Sequence, residues 1–207
     1  MIITKHLLRI LAIACAIGAT LLGSACAPLV VGGAMVGGAL MATDRRTSGI
    51  QLEDQSIELK AASRAREVVG DKAHLNFNSY NRLLLITGEV ASEADRVAIE
   101  QAVARVENVR STVNELAVMG NASLGSRSND VLILSKTKAS LIDAKDVLSN
   151  AFDLHVERGV VYLMGRVTER EAARVTDIAR SIRGVQKVVR VLEIISEDEL
   201  AGMLLKK

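Results

Sequence analysis

The chain has 207 residues, of which 49% are hydrophobic and only 2% aromatic, and it contains no tryptophan. The formal net charge of +2 comes entirely from Lys5 and Arg9, because 24 basic and 24 acidic side chains remain after residues 1–25 are removed. A neutral mature chain with few rings to stack on bases argues against a nucleic-acid-binding protein. The length allows one ordinary domain or two small ones with aliphatic cores.

Residues 1–25 are typical of an export signal. Lys5 and Arg9 precede an uncharged apolar run over 10–22, which suits the core of a signal peptide but is short for a membrane span. The run ends in Leu-Gly-Ser-Ala-Cys, a bacterial lipoprotein signal with Gly23 where leucine is usual. Cleavage before Cys26 would place a lipid on its thiol and discard Cys15, so that no disulfide forms within the mature chain.

Three alternatives to lipidation at Cys26 remain open. Cys26 is also compatible with a small apolar residue in a membrane helix. Ala25-Cys26-Ala27 resembles an ordinary secretory cleavage site, although Pro28 would then follow the cut. If the signal is not cleaved, two apolar helices separated near Pro28 result.

Residues 26–53 are predicted to form a tether. The stretch over 27–43 is apolar and rich in glycine, and Gly33-x-x-x-Gly37 has the spacing that brings membrane helices together. Because so many glycines disfavour a stable helix, a flexible or membrane-apposed tether is the preferred interpretation. The composition turns polar at Asp44, which marks the approach to a folded domain.

An internal repeat organises the rest of the chain. The segments 84–94 and 162–172 share an apolar strand, a glycine and a helix start. Gly88 and Gly165 are predicted to be structural glycines, at a bulge or at a close approach of two backbones. Capping boxes are predicted at Ser92-x-x-Asp95 and Thr168-x-x-Glu171.

Each repeat is predicted to fold as α-β-β-α-β, with two helices on a three-stranded mixed sheet, in the mixed α/β (α+β) class. In the first repeat we expect a helix carrying Ile57, Ala61, Ala65 and Val68, strands over 73–79 and 83–90, a helix over 94–106 and a strand over 111–118. In the second we expect a helix over 130–148, strands over 152–157 and 160–167, a helix over 170–182 and a strand over 186–195. The two domains therefore span 54–119 and 129–196, with a linker over 120–128 and a C-terminal tail over 197–207.

These repeats resemble the BON domain (bacterial OsmY and nodulation), and the whole chain is similar to dual-BON outer-membrane lipoproteins. The matching stretches are Thr43-Asp44-x-Arg46, the segment 124–130, the segment 164–172 and Gly184-Val185. The resemblance implies a periplasm-facing outer-membrane lipoprotein that binds anionic phospholipid through the first helix of its second BON domain. It also implies a gathering at division sites, a role in envelope integrity, and the outer-membrane assembly machinery as a candidate partner. Ala27 after Cys26 agrees with outer-membrane sorting.

The helix predicted over 130–148 carries the candidate phospholipid-binding residues. At 100° per residue Leu132 lies opposite the apolar core face of Ile133, Leu134, Leu141, Ala144 and Leu148. The resemblance adds that the lipid-contacting helix of the family has tryptophan at the position of Leu132 and basic residues at Lys136 and Lys138. The candidate set is Leu132, Ser135, Lys136, Lys138 and Ile142.

Two observations restrict this hypothesis. Asp143 and Asp146 would repel anionic headgroups, so we expect contact through the N-terminal half of the helix only. An isolated exposed leucine is also ordinary on a soluble helix. The alternative function is a non-enzymatic periplasmic protein-interaction module that touches lipid only through its N-terminal anchor.

No catalytic residue, cofactor or metal site is predicted. Ser135-x-x-Lys138 matches the nucleophile motif of penicillin-binding enzymes, but the companion motifs are missing. His74 and His155 occupy different strand positions in the two repeats, and no Cys/His cluster has metal-ligand spacing. Glu169 and Glu171 suit a helix start. We therefore expect a monomeric non-enzyme whose two BON domains are in contact.

Overall fold

The computed structural model describes residues 44–205. The predicted signal peptide, Cys26 and most of the predicted tether lie outside the described residues, as do the last two residues. Within 44–205 no helix combines the length and the apolar character needed to cross a membrane.

The described residues form two α-β-β-α-β units and a short last helix, which confirms the predicted mixed fold class. The first unit, called the first domain, consists of α1 (Ser48–Val69), β1 (His74–Tyr80), β2 (Leu83–Val90), α2 (Glu93–Val103) and β3 (Ser111–Val118). The second domain consists of α3 (Leu124–Asp143), β4 (Phe152–Glu157), β5 (Val160–Val167), α4 (Glu169–Ser181) and β6 (Lys187–Ile194). The last helix is α5 (Glu197–Leu205).

The helix boundaries differ from prediction where a polar cap starts a helix early. The Oγ of Ser123 accepts a hydrogen bond from the backbone N–H of Ser126, and α3 therefore begins at Leu124, inside the predicted linker. Thr47 caps α1 in the same way. At its other end α3 stops at Asp143, five residues before the predicted end, because Ala144 is extended. The predicted tail contains α5, which is helical through Leu205.

Both sheets have the same topology. β1 pairs antiparallel with β2, and β2 pairs parallel with β3, while β4, β5 and β6 repeat this order. The parallel pairs are joined by the crossover helices α2 and α4. One face of each sheet packs on its two helices; these buried core residues include Ile57, Ala61, Leu84, Ile86 and Ile99 in the first domain and Ile133, Leu141, Val161, Leu163 and Val175 in the second.

The remaining faces of the two sheets meet each other. Tyr80 and Leu85 of the first domain form one buried cluster with Tyr162, Met164 and Val191 of the second domain. Because side chains alternate along a strand, β2 and β5 can supply one core with odd positions and another with even positions. The described part of the chain is therefore layered as helices, sheet, sheet and helices.

Gly88 and Gly165 lie where two backbones approach closely. A Cβ built on Gly88, whose φ is 119°, would lie 1.9 Å from the carbonyl oxygen of His74. A Cβ on Gly165 would lie 2.6 Å from the carbonyl oxygen of Ala151. The antiparallel pairing with β1 continues on both sides of Gly88, and the parallel pairing with β6 continues on both sides of Gly165. Of the two predicted reasons for these glycines, the close approach is therefore the correct one.

The two predicted capping boxes differ in detail. Thr168 and Glu171 form the complete reciprocal pair of hydrogen bonds at the start of α4. At the start of α2 the Oγ of Ser92 accepts from the N–H of Asp95, but the carboxylate of Asp95 accepts from the Ser92 hydroxyl at 2.7 Å. Aspartate is one methylene shorter than glutamate, which explains why it bonds to the hydroxyl at the helix start.

A buried aspartate in the first helix of each domain holds the hairpin turn. Asp130 accepts hydrogen bonds from the backbone N–H groups of Arg158 and Gly159, at 2.8 and 2.7 Å. Both turn residues have positive φ, as a two-residue hairpin requires.

The first domain uses Asp54 for the same purpose and adds two partners. Asp54 accepts from the N–H groups of Asn81 and Arg82 at 2.9 and 2.7 Å, and also from the hydroxyl of Ser79 and the guanidinium of Arg46. This pair of aspartates was not predicted from the sequence, although the two residues occupy equivalent places in the repeat.

Candidate lipid-binding surface

The outer face of α3 exposes an apolar stripe. Leu124, Val131, Leu132 and Ile142 are 81%, 61%, 57% and 70% exposed. At 100° per residue, Leu124, Val131 and Ile142 lie within about 20° of one another, and Leu132 lies about 80° to one side. We call these four side chains the α3 stripe. It contains the predicted Leu132 and Ile142 and adds Leu124 and Val131, which the sequence analysis missed.

The opposite face of α3 is anchored in the core. Ile133 and Leu141 are buried, as predicted, and Leu134 and Ala144 pack partly buried against the same cluster. Leu148, predicted to share this face, lies beyond the end of the helix and is exposed. The helix cannot rotate without exposing its buried face, so the stripe is held toward solvent.

Lys136 and Lys138 are exposed beside the stripe. Viewed down the helix axis, Lys136 lies about 120° from the direction of Leu124 and Ile142, on the same side as Leu132. Lys138 lies about 40° from that direction on the other side. Within residues 44–205 neither ammonium group takes part in an ion pair. Both positive charges are therefore available to an external anion.

Acidic groups are sparse along α3. Between 124 and 142 the only acid is Asp130, which is buried and accepts the hydrogen bonds of the hairpin turn. Asp143 is exposed at the end of the helix. Asp146 lies beyond it, where a hydrogen bond from Arg174 at 2.7 Å lowers the pKa of its carboxyl below the ordinary value. Of the two predicted repulsive charges, Asp146 is thus paired with a cation.

Ser135 lies on the exposed face near the stripe. Its hydroxyl donates to the carbonyl oxygen of Val131, one turn earlier, at 2.8 Å. Because the only hydroxyl proton is used inside the helix, Ser135 has no hydrogen to offer a phosphate oxygen in this conformation. Its contribution to the surface is a small polar side chain between the two lysines.

A pocket opens where α3 meets β4. It has a volume of about 170 Å³ and is lined by Leu141, Phe152 and Leu154, with Lys138 and Ile142 at its α3 side. Ser149 and Asn150 also line the pocket, so its wall combines apolar and polar side chains next to Lys138.

The segment that leads into the first domain is fixed by two arginines. The Arg45 guanidinium donates to both carboxylate oxygens of Glu171 at 2.7 and 2.8 Å, and to the carbonyl oxygen of Arg166. Arg46 binds Asp54 and stacks 4.1 Å above the centroid of the Tyr80 ring. Arg45 therefore binds the second domain, and the next residue, Arg46, binds the first domain.

The contact with Arg45 affects the pKa of Glu171. Burial alone would raise the pKa of Glu171, but hydrogen bonds from Arg45 and from the N–H of Thr168, with the charge of Arg45, place it below the ordinary value. The carboxylate is thus ionised at neutral pH, as a partner of a guanidinium should be.

A second polar cluster lies between the domains. His74 Nδ1 is 3.1 Å from Glu89 Oε2 and 4.0 Å from Glu157 Oε1. His155 Nε2 lies 2.8 Å from Thr87 Oγ1 and 3.8 Å from Glu157 Oε2. The two histidines occupy different strand positions in the two repeats, yet the packing of the sheets brings both of them near Glu157.

A third contact between the domains surrounds Glu193 on β6. Its carboxylate accepts from Asn81 at 2.7 Å and from Arg110 at 3.0 Å, both in the first domain. Arg166, in the second domain, is 3.1 Å away. Burial would raise the pKa of Glu193, but these hydrogen bonds and charges place it below the ordinary value.

The α-β-β-α-β unit with its strand-end glycine, present twice, defines the class of this protein. The BON domain model matches residues 56–120 and 129–196. The chain belongs to the BON-domain family, and the predicted resemblance is confirmed.

Two relatives cover most of the chain. It is 32% identical over 179 residues to the outer membrane lipoprotein DolP of Haemophilus influenzae, which covers 86% of this chain and 92% of that protein. It is 25% identical over 154 residues to the 21 kDa hemolysin of Actinobacillus pleuropneumoniae, covering 73% of this chain and 79% of that one. Among solved structures, the C-terminal domain of CdsD from Chlamydia trachomatis is 11% identical, covers 65% of this chain and 96% of that one, and has a TM-score of 0.29.

Proposed function

We propose that this chain is an outer-membrane lipoprotein that binds anionic phospholipid through the outer face of α3. The similarity to an outer membrane lipoprotein over most of both chains supports the location. The observation that carries the lipid-binding part is the α3 stripe between two unpaired lysines. The finer role, support of envelope integrity at division sites, rests on the family resemblance.

The composition of the surface favours a bilayer interface. Large apolar side chains enter the boundary of headgroups and acyl chains, while the ammonium groups of lysine meet phosphates. Each lysine near an anionic surface contributes about 1 kcal/mol, and each buried leucine or isoleucine about 2 kcal/mol. Two lysines and four apolar side chains suffice for measurable but reversible binding, which a lipid on Cys26 would strengthen by keeping the domain close to the membrane.

Sedimentation with vesicles tests the lipid-binding part. Residues 44–207 lack the predicted anchor and contain both cores. They should sediment with vesicles containing phosphatidylglycerol and remain in solution with pure phosphatidylcholine. Raising the salt concentration should weaken binding, because it screens the lysines. Absence of sedimentation with either vesicle would favour the alternative, a protein-interaction module that touches lipid only through its anchor.

Lipidation needs a separate measurement. Mass spectrometry of the mature protein should find a chain that begins at Cys26 and carries acyl groups. An unmodified thiol, or a chain that begins at residue 28, would refute the anchor and leave the α3 surface to be judged by sedimentation alone.

A further inference from the structure

We propose that His74, Glu89 and Glu157 form a binding site for one zinc-type divalent cation between the two domains. The three ligand atoms lie within 4.8 Å of one another. Ligands of a tetrahedral zinc ion lie about 3.3 Å apart, since zinc–nitrogen and zinc–oxygen bonds are close to 2.1 Å. The pair His74 Nδ1 and Glu89 Oε2, at 3.1 Å, already has this separation. Small side-chain rotations bring Glu157 to the same distance.

Glu89 is a buried charge that needs compensation. Its side chain is 0% exposed, and its Oε1 has no hydrogen-bond partner within the described residues. The guanidinium of Arg158 lies 3.6 Å away on that side. A carboxylate so deeply buried is costly unless cations and hydrogen bonds compensate it. Arg158 lies on the side of Oε1, whereas Oε2 faces His74 and the proposed ion.

The groups around the ligands have the arrangement of a second shell. The amide of Asn76 donates to Glu157 Oε2 at 2.8 Å, which leaves Oε1 toward His74. The N–H of Ala122 donates to Glu89 Oε2 at 3.1 Å. Hydrogen bonds of this kind orient ligating carboxylates in metal sites.

The types of ligand atom, and a cavity through which water reaches them, favour zinc over magnesium and calcium. One imidazole and two carboxylates suit zinc, whereas magnesium and calcium prefer oxygen ligands alone. A cavity of about 220 Å³ reaches His74 and Glu157 and is also lined by Asn76, His155 and the oppositely charged pair Arg127 and Asp130. Water from this cavity can complete a fourth ligand position.

The three ligands come from both domains. Because His74 and Glu89 belong to β1 and β2 whereas Glu157 belongs to β4, the ion would tie one domain to the other.

Calorimetric titration with zinc chloride tests the site. The full chain is purified in detergent with Cys15→Ser and Cys26→Ser, so that no thiolate binds zinc. We expect one zinc ion per chain and a rise in Tm of about 5 °C at saturation. His74→Ala and Glu157→Gln should each weaken binding at least about 10-fold. Glu193→Gln is the matched control, since it removes one interface carboxylate outside the cluster and should leave the affinity unchanged.

Cobalt gives a readout that does not depend on the variants folding. Co²⁺ bound to the unsubstituted cluster should show the intense visible absorption of a four-coordinate ion with nitrogen and oxygen ligands. Zinc binding that persists in both His74→Ala and Glu157→Gln would overturn the proposal. So would a lack of saturable zinc binding, or a cobalt spectrum like that of the hydrated ion.

Discussion

The first helices of the two domains, α1 and α3, occupy equivalent places but expose different surfaces. Each buries an aspartate, a β-branched residue and small or aliphatic residues against its own sheet. On α1 every basic residue is paired with a carboxylate: Lys60 with Glu107, Arg64 with Glu67 and Arg66 with Asp71. On α3 the two lysines have no such partner in the described residues.

Both helices expose large apolar side chains, so hydrophobicity alone does not distinguish them. Leu52 and Leu59 of α1 are 69% and 74% exposed, comparable to the α3 stripe. The difference lies in charge, because α1 carries exposed or half-buried acids at 53, 58 and 67 whereas Asp143, at its very end, is the only exposed acid of α3. We therefore expect an anionic membrane to bind the second domain, because the lysines of α3 are unpaired. The exposed leucines should add apolar contact with the acyl chains.

The largest single effect expected is on stability. Asp54→Ala should lower the free energy of unfolding by about 3 kcal/mol, because it removes four hydrogen bonds and leaves Arg46 partly buried without one of its partners. Asp130→Ala removes two hydrogen bonds and should cost about 2 kcal/mol. Urea unfolding of residues 44–207 measures both, with the exposed Asp143→Ala as a near-neutral control. An equal or larger loss at Asp130 would contradict this ranking.

Replacing one exposed leucine of each helix with glutamate tests directly which domain binds the membrane. Leu132→Glu should weaken binding to phosphatidylglycerol vesicles about 100-fold, since it removes a buried leucine and adds a repelled charge. Leu59→Glu makes the same change on α1 and should leave the affinity within about twofold. Both leucines are exposed, so circular dichroism should be unchanged. Equal losses in the two variants would show that the domains do not differ toward lipid.

Neutralising the basic residues should have a smaller effect. Lys136→Gln and Lys138→Gln should each weaken binding about fivefold, and the loss should shrink at high salt. The paired cations of α1 provide the control, because Lys60→Gln and Arg64→Gln remove charges that are already matched. If those controls weaken binding as much as the α3 variants, overall charge rather than the α3 surface governs the interaction.

Acid should affect the contact between the domains most weakly. The pKa values of Glu157, Glu171 and Glu193 all lie below the ordinary value in the folded protein. Their stabilising contribution is therefore complete above about pH 4.3 and is lost as the pH falls through the folded-state values. Each contributes less than about 1 kcal/mol after solvent screening. The midpoint of urea unfolding should thus be flat from pH 7 to pH 5 and fall below pH 4, and Glu171→Gln should reduce that fall.

Local patterns were enough to predict the strands and the faces of the helices. The sequence pattern gave the bounds of β2, β3, β4 and β5 correctly, because the apolar residues that face each core recur at a period of two. The helical period placed Leu132 opposite Leu134 and Leu141, and the packing agrees, because Leu132 is exposed, Leu141 is buried and Leu134 packs against the core. The composition of residues 124–128 gave a wrong prediction. Its glycine and serines indicated a linker, whereas these residues form the first turn of α3 after the N-cap Ser123.

The contacts between the domains could not be predicted from local patterns. His74, Glu89 and Glu157 come from three strands, and only the packing of one sheet on the other brings them together. Leu124 and Val131 were recognisable in principle, since their spacing of seven residues and that of eleven from Val131 to Ile142 both return to the same side of a helix. Leu124 was missed because the helix was predicted to begin at residue 130, whereas Val131 lay inside the predicted helix and was overlooked.

The absence of tryptophan from the chain permits the most direct test of the central claim, that α3 and not α1 meets the bilayer. Leu132→Trp and Leu59→Trp each introduce a single reporter at an exposed position. On addition of phosphatidylglycerol vesicles, emission from position 132 should shift to shorter wavelength and be quenched by brominated lipid, while emission from position 59 should stay that of a hydrated indole. Equal responses at the two positions, or a response at position 59 alone, would contradict the account.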